Sequence, residues 1–236
     1  MAFKTLPTAA YWLVLPVLLA LGNWQLNRAD EKQQVLALQA QQANSAELAL
    51  SASTQDDVQG LRYKKVRLRG HYDVAHQFLL DNQIHVGKAG YFVLTPFVLD
   101  DGSKAVLVNR GWLPLTANRS VLPTLVFAAA PTAVAGRVNQ FPSVGLKLAG
   151  AEQPGEGWPS LVQLADSAVL AKKLGYPLFS FQIELDPQAP DGYLRDWHTS
   201  TLMLPEQHRA YALQWFGLAF TLTVLFIVYR LKKQND

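Results

Sequence analysis

Two uncharged apolar stretches stand at the two ends of this chain, with about 180 residues of balanced sequence between them. The second, Ala210–Tyr229, is twenty residues long and is bracketed by Arg209 and Arg230. At 1.5 Å per residue it makes about 30 Å of helix, the thickness of a bilayer's hydrocarbon core. The first is uncharged from Thr5 to Asn27, with its apolar heart at Tyr11–Leu21. Such a pattern predicts a hairpin of two membrane spans holding one extramembrane domain. The expected divisions are a tail over 1–8, a transmembrane helix over 9–27, an outer domain over 28–207, a second transmembrane helix over 208–229 and a tail over 230–236.

Charge sets the expected orientation. From Arg28 to Arg209 the chain carries 17 Lys/Arg and 17 Asp/Glu, so the net +3 comes from Lys4, Arg230, Lys232 and Lys233, less Asp236. Short positive flanks stay in the cytoplasm, whereas a long loop crosses largely regardless of its charge. Both termini are therefore expected in the cytoplasm and the middle domain in the periplasm. The pI of 9.1 belongs to these flanks and does not argue for a nucleic-acid partner. A cleaved signal peptide is the competing reading of the first stretch, with Ala20-Leu21-Gly22 as the cleavage site. Against it, neutral sequence runs on past that site to Asn27, and Trp12 and Trp24 are spaced as interfacial anchors. The start lacks a long Arg- and Ser-rich leader, and a bacterial inner membrane is the simpler address.

The chain contains no cysteine, which excludes disulfides, thiolate metal sites, covalent haem attachment and thiol redox chemistry. Methionine occurs only at positions 1 and 203, which argues against a carrier of soft copper(I).

The middle region reads as a single β-rich, mostly antiparallel domain, giving an α+β membrane protein overall. Arg28–Gln42, rich in Gln, Ala and Leu, continues the first helix, and polar Asn44–Gly60 reads as a linker. Tyr63–His71 alternates, with Val66 and Leu68 on one face and Arg67 and Arg69 on the other. Gln77–Leu80 is a short strand. Tyr91–Leu99 and Ala105–Trp112 form the clearest hairpin, joined through Asp100-Asp101-Gly102-Ser103. Both faces of that hairpin are largely apolar, which predicts a central sheet position or a small barrel. Pro96 costs a ladder donor and predicts a bulge or a local edge. Thr132–Val138 and Leu178–Leu185 are further strands, Asn139–Pro159 is an irregular loop, and Ser160–Leu174 reads as a helix capped by Gly175.

No phosphate loop, His-x-x-x-His or Gly-x-Ser-x-Gly pattern is present, and the acidic residues cluster at turns, where backbone reasons suffice. The chain is expected not to be an enzyme. A two-span sensor would need a cytoplasmic output domain, and little sequence follows Tyr229. The run Arg62–Arg69 holds five cations in eight residues. It is either a docking strip for an acidic partner or headgroups, or a solvated strand face that discourages edge pairing. Arg110 and Trp112 are open in the same way: they form a docking point, or Arg110 pairs with a strand-end carboxylate while Trp112 packs the core. His71, His76 and His85 read as surface decoration. His208 differs because it stands at the outer edge of the second span. Continued as helix, His208, Tyr211 and Trp215 fall at i, i+3 and i+7. Either this imidazole is the axial ligand of a haem with a greasy body, or it hydrogen-bonds the loop while the stripe packs on the first span.

Four stretches together resemble the surfeit locus protein 1 family, the membrane assembly factors of cytochrome c oxidase. They are Gly22-Asn23-Trp24-Gln25-Leu26-Asn27-Arg28, Gly70-His71-Tyr72-Asp73, Gly87-x-x-Gly90-Tyr91-x-x-Leu94-Thr95-Pro96 running on to Val108-Asn109-Arg110-Gly111-Trp112, and His208-x-x-Tyr211-Ala212-x-x-Trp215-Phe216. The resemblance implies a role in maturing the haem–copper subunit of a terminal oxidase. It also implies binding or handing over haem a, with His208 as the iron ligand beside Tyr211 and Trp215. Implied partners are that subunit or its assembly intermediate, the haem a synthesis machinery, and the membrane. The alternative is a haem-free scaffold that holds an oxidase subunit through Arg67 and Arg69, or through Arg110 and Trp112.

Overall fold

A computed structural model describes residues 6–102, 104–116, 121–127, 132–143, 145, 149–197 and 203–235. Two compact units emerge, one made of 1–38 with 199–236 and the other of 39–198.

The first unit is a pair of antiparallel helices, α1 (Leu6–Ala43) and α4 (Pro205–Asn235). Both are long and apolar enough to cross a membrane. Helix α1 runs on without a break through the sequence expected to continue it, as far as Ala43. Their less exposed positions follow one rhythm. On α1 they include Tyr11, Leu15, Leu18, Gly22, Gln25 and Ala29, with Leu21 beside them; on α4 they include His208, Ala212, Trp215, Ala219, Leu222 and Phe226, with Phe216 and Thr223 beside them. Alternating steps of three and four residues define a coiled-coil seam, in which each helix shows its partner one narrow stripe. At Gly22 an added Cβ would lie 2.6 Å from the Phe216 ring, so the missing side chain is what admits that ring. Tyr11 stacks on Phe226 with ring centroids 4.0 Å apart. Outside the seam, Leu13, Leu213, Phe220 and Leu225 are exposed, an apolar surface suited to hydrocarbon.

The second unit is built on β2 (Lys65–Tyr72), β3 (Phe78–His85), β4 (Lys88–Leu99), β5 (Ala105–Pro114), β6 (Ala133–Asn139) and β8 (Leu178–Leu185). Two short strands, β1 (Leu48–Ala49) and β7 (Ser160–Val162), and two helices, α2 (Val58–Leu61) and α3 (Ser167–Leu174), complete it. The sheet order is β1-β2-β6-β8-β5-β4-β3-β7, and β2 also pairs with β4. That second pairing closes β2, β6, β8, β5 and β4 into a five-stranded barrel. Every pairing within it is antiparallel except β5 with β8. The domain expected to be mostly antiparallel is so, and of the two central placements open to the hairpin, the barrel is the one realised.

Closure depends on where β4 changes neighbours. Its first half pairs with β3 as far as Phe78↔Leu94, and its end pairs with β2 from Tyr72↔Phe97. Pro96 falls in the gap, where a missing N–H costs no ladder bond on that side. The register shift itself lies earlier, between Phe92 and Leu94. At the closing pair Gly70↔Leu99, Gly70 has φ +154°, and a Cβ there would overlap the Val98 carbonyl oxygen. Only glycine lets these two backbones meet.

Alternation then sorts the side chains. Val66, Leu68 and Tyr72 of β2, Val106 and Val108 of β5, and Phe179, Phe181 and Ile183 of β8 fill the interior. Ala105, Leu107 and Leu94 face outward under α3, where Leu170 is fully buried. At about 25 cal/mol per Å2 each such side chain contributes about 1.5–3 kcal/mol of transfer free energy. This double burial is why β5 is apolar on both faces.

Two expectations change. Ser160–Leu174 is not one helix: Ser160–Val162 pairs in parallel with Phe78–Leu80, and the helix starts only after Asp166. The Asp166 carboxylate accepts from the N–H groups of Ala168 and Val169, which makes it the N-cap, while Gly175 in the left-handed region caps the other end as expected. The linker Asn44–Gly60 is partly ordered, since Leu48–Ala49 adds to the edge of β2 and Asp57 caps α2.

Candidate functional site

Helix α4 begins as its first residues direct. Pro205 supplies a preset φ at the first helical position, and Glu206 places a negative charge in the first turn. Gln207 accepts from the Leu204 N–H through its side-chain oxygen at 2.8 Å, one half of a capping box. This fixed start puts His208 on the seam, 8 % exposed. Opposite it, Gln25 is also 8 % exposed, and its Oε1 lies 2.6 Å from His208 Nδ1. Among the described residues nothing hydrogen-bonds Nε2.

The three residues expected to hold a cofactor are not equivalent. His208 and Trp215 share the seam, whereas Tyr211 lies beside it and is half-exposed. The indole Nε1 of Trp215 is a buried donor without an acceptor. Gln25 is the residue that sequence reasoning passed over. Gln25 stands in the Gly22–Arg28 stretch that resembles the family, but only the helix pairing shows that it faces His208. Among the described residues no group of three or more His, Asp and Glu side chains could hold a metal ion.

The second unit keeps its own polar centres. Arg110, expected as a docking point or as the partner of a strand-end carboxylate, is 1 % exposed and follows Val106 and Val108 on the interior face. Its Nε donates to the Asp191 backbone carbonyl at 2.7 Å, Nη1 to Gln77 Oε1 at 3.0 Å and Nη2 to the Val126 carbonyl at 2.9 Å. The guanidinium lies over Phe127 at 3.6 Å and Tyr193 at 5.0 Å. Burial lowers its pKa, while Tyr193, Tyr72 and Asp191 act in the opposite direction. Trp112 is 8 % exposed and donates its indole N–H to the Gln83 carbonyl. Arg110 thus ties β5 to the segments around Gln77, Val126 and Asp191, and Trp112 ties β5 to β3. Arg67 and Arg69 point outward beside Ala135 and Ala133 of β6, and Arg67 pairs with Glu47 at 2.9 Å.

Of the histidines set down as surface decoration, His71 is exposed, and His76 is tied by Nδ1 to Asp73 at 2.7 Å. Asp73 also accepts from the Tyr176 hydroxyl, which burial and then this carboxylate hold well above the ordinary tyrosine range. His198 lies outside the described residues.

A closed barrel carried with a pair of apolar helices, and a histidine held between those helices, define a class of protein. The SURF1 family model matches residues 12–220, and the chain belongs to that family. It is 29 % identical to a SURF1-like protein of Rickettsia conorii over 93 % of this chain and 89 % of that one. It is 24 % identical to the surfeit locus protein 1 of Arabidopsis thaliana over 92 % of this chain and 76 % of that one. Over 39 % of this chain and 24 % of the relative, it is 33 % identical to a Saccharomyces cerevisiae protein named cytochrome oxidase assembly protein SHY1.

Proposed function

We propose that this protein assists the assembly of cytochrome c oxidase by holding haem a at His208 and helping its delivery to the haem–copper subunit. Membership of the SURF1 family and the name of the yeast relative support the assembly role. The haem reading rests on one observation: His208 is fixed through Nδ1 while Nε2 makes no hydrogen bond among the described residues. The residues fit the group. A neutral imidazole nitrogen suits haem iron, Tyr211 and Trp215 add aromatic surface, and the buried Trp215 N–H lacks an acceptor that a polar haem substituent would supply. Bound haem would supply an iron centre, and His208 would be the side chain that holds it. In this reading α1 and α4 span a bacterial inner membrane, both termini are cytoplasmic, and 39–198 lies in the periplasm. A protein that handles a lipophilic haem for a membrane oxidase belongs at the bilayer.

The test is the absorption spectrum of the detergent-purified full chain, made together with haem a, beside His208→Ala. Haem a bands in the native protein that vanish in the variant support the ligand assignment, and bands unchanged in the variant refute it.

A haem-free scaffold is the second reading, favoured by the mutual burial of His208 and Gln25, which helix pairing alone would explain. Its docking surface would be the outward cations Arg67 and Arg69. It predicts a colourless native protein whose co-purification with the oxidase subunit is lost in Arg67→Gln/Arg69→Gln. Retained co-purification in that variant would remove these two residues from the surface.

A further inference from the structure

We infer that Gln25 is a positioning residue for His208: it holds the imidazole in the Nδ1–H tautomer and so leaves Nε2 as the nitrogen with a free lone pair. The inference deepens the haem reading and rests on it for its purpose, although the tautomer itself is a property of the free protein.

The argument begins with the seam. Its neighbours at this level, Gly22 and Ala29 on α1 and Ala212 on α4, are small, which lets the helices close around the two polar groups. Both side chains are 8 % exposed, so water is a poor substitute partner for either one. The atom of Gln25 that faces the ring is Oε1, at 2.6 Å from Nδ1. An amide oxygen only accepts, so the proton of the contact belongs to the imidazole. A neutral ring with its proton on Nδ1 has its lone pair on Nε2, where no hydrogen bond among the described residues competes for it. This is how metal-binding histidines are commonly prepared: one ring nitrogen donates to an oxygen, which fixes the tautomer and orientation and raises the basicity of the other.

A polar pair in a largely apolar seam also has a simpler use, the setting of helix register. Register needs only a hydrogen bond and is indifferent to which ring nitrogen carries the proton. Presentation of Nε2 requires the proton on Nδ1. The two accounts therefore part at the tautomer.

The experiment uses the full chain in detergent, free of haem and labelled with 15N-histidine, and reads the His208 ring by two-bond 1H–15N correlation, with His208→Ala to assign it. The expected result is an Nδ1–H ring in the native protein, a shift toward Nε2–H in Gln25→Leu, and return to Nδ1–H in Gln25→Glu, whose carboxylate accepts in the same place. In parallel, haem a titration is expected to weaken about 10- to 100-fold in Gln25→Leu and to recover in Gln25→Glu, the size typical of a lost partner behind a metal ligand. A native Nε2–H ring, or a ring unchanged in Gln25→Leu, overturns the inference. Haem retained by His208→Ala, with the tautomer result intact, would remove the ligand reading and leave Gln25 positioning a histidine of another use. Haem lost in His208→Ala with an unchanged ring in Gln25→Leu would do the reverse.

Discussion

Arg110 in the barrel and His208 in the helix pair are both nearly inaccessible, at 1 % and 8 % exposure, yet their surroundings treat them differently. Arg110 reaches oxygen from three separate segments and lies over two aromatic rings. A buried cation is tolerated only when its donors are occupied, and here the occupation ties the segments around 126 and 191 to β5. His208 has a partner on one nitrogen only among the described residues. The barrel spends its polar group on cohesion, whereas the helix pair leaves half of its own available. Inaccessibility alone separates nothing; the count of satisfied atoms does.

Four measurements break or sharpen this comparison. The largest effect is expected from Gly70→Ala, which forces a Cβ against the Val98 carbonyl at the closing seam of the barrel. A loss of about 4 kcal/mol is expected, at the upper end of overpacking costs. Thermal unfolding of the full chain followed by near-UV circular dichroism would show it as a fall in midpoint of about 10 °C. Next comes Arg110→Leu, which removes the charge and the guanidinium donors to two backbone carbonyls, while Gln77 Oε1 keeps the Thr95 hydroxyl. About 3 kcal/mol of barrel stability should go, read by the same unfolding, while the haem a spectrum of the folded protein is unaffected. A haem loss without a stability loss would mean that Arg110 is not the internal brace the geometry describes.

Gly22→Ile tests the helix pair alone and should cost about 1–2 kcal/mol, because the Phe216 ring can turn aside. The chain's lack of cysteine makes the readout simple. Leu15→Cys and Leu222→Cys, each one turn along the seam from the stacked Tyr11 and Phe226, should cross-link readily in the native background and more slowly with Gly22→Ile. Equal rates would contradict the seam.

The smallest effect is electrostatic. Burial would raise the Asp56 carboxyl, but the Ser180 hydroxyl, Lys104 and the Ser180 N–H outweigh it and hold the group below its ordinary range. A folded-state pKa below the unfolded one contributes stability above the unfolded value, near 3.9, and loses it as pH falls further. Asp56→Asn should therefore cost about 1 kcal/mol at neutral pH, with the difference fading below about pH 4. A cost that persists in acid would assign Asp56 a role other than charge.

Several features were legible in the sequence for reasons that are local. The lengths of the apolar stretches, the alternation of Val66, Leu68 and their neighbours, the Asp-Gly turn before β5 and the Gly175 cap are properties of a few adjacent residues, and each appears where it was expected. The start of α3 was misplaced although Asp166 signalled it, because the apolar residues Leu161 and Val162 suit a strand edge as well as a helix face. His208 could be chosen from its place beside an apolar stretch, but its partner could not be read with the same assurance. Gln25 stands 183 positions away, and only the pairing of two helices makes them neighbours.

The sequence by itself determined the two apolar helices, the β-rich unit between them and the family, since periodicity, composition and motif order are written along the chain. The tertiary structure decided which polar residues are spent and which are left free. Barrel closure turned Arg110 inward onto three oxygens, and helix pairing gave His208 one. The physical reason is that hydrogen bonds and burial are counted between residues far apart in the chain, and only their meeting in space completes the count.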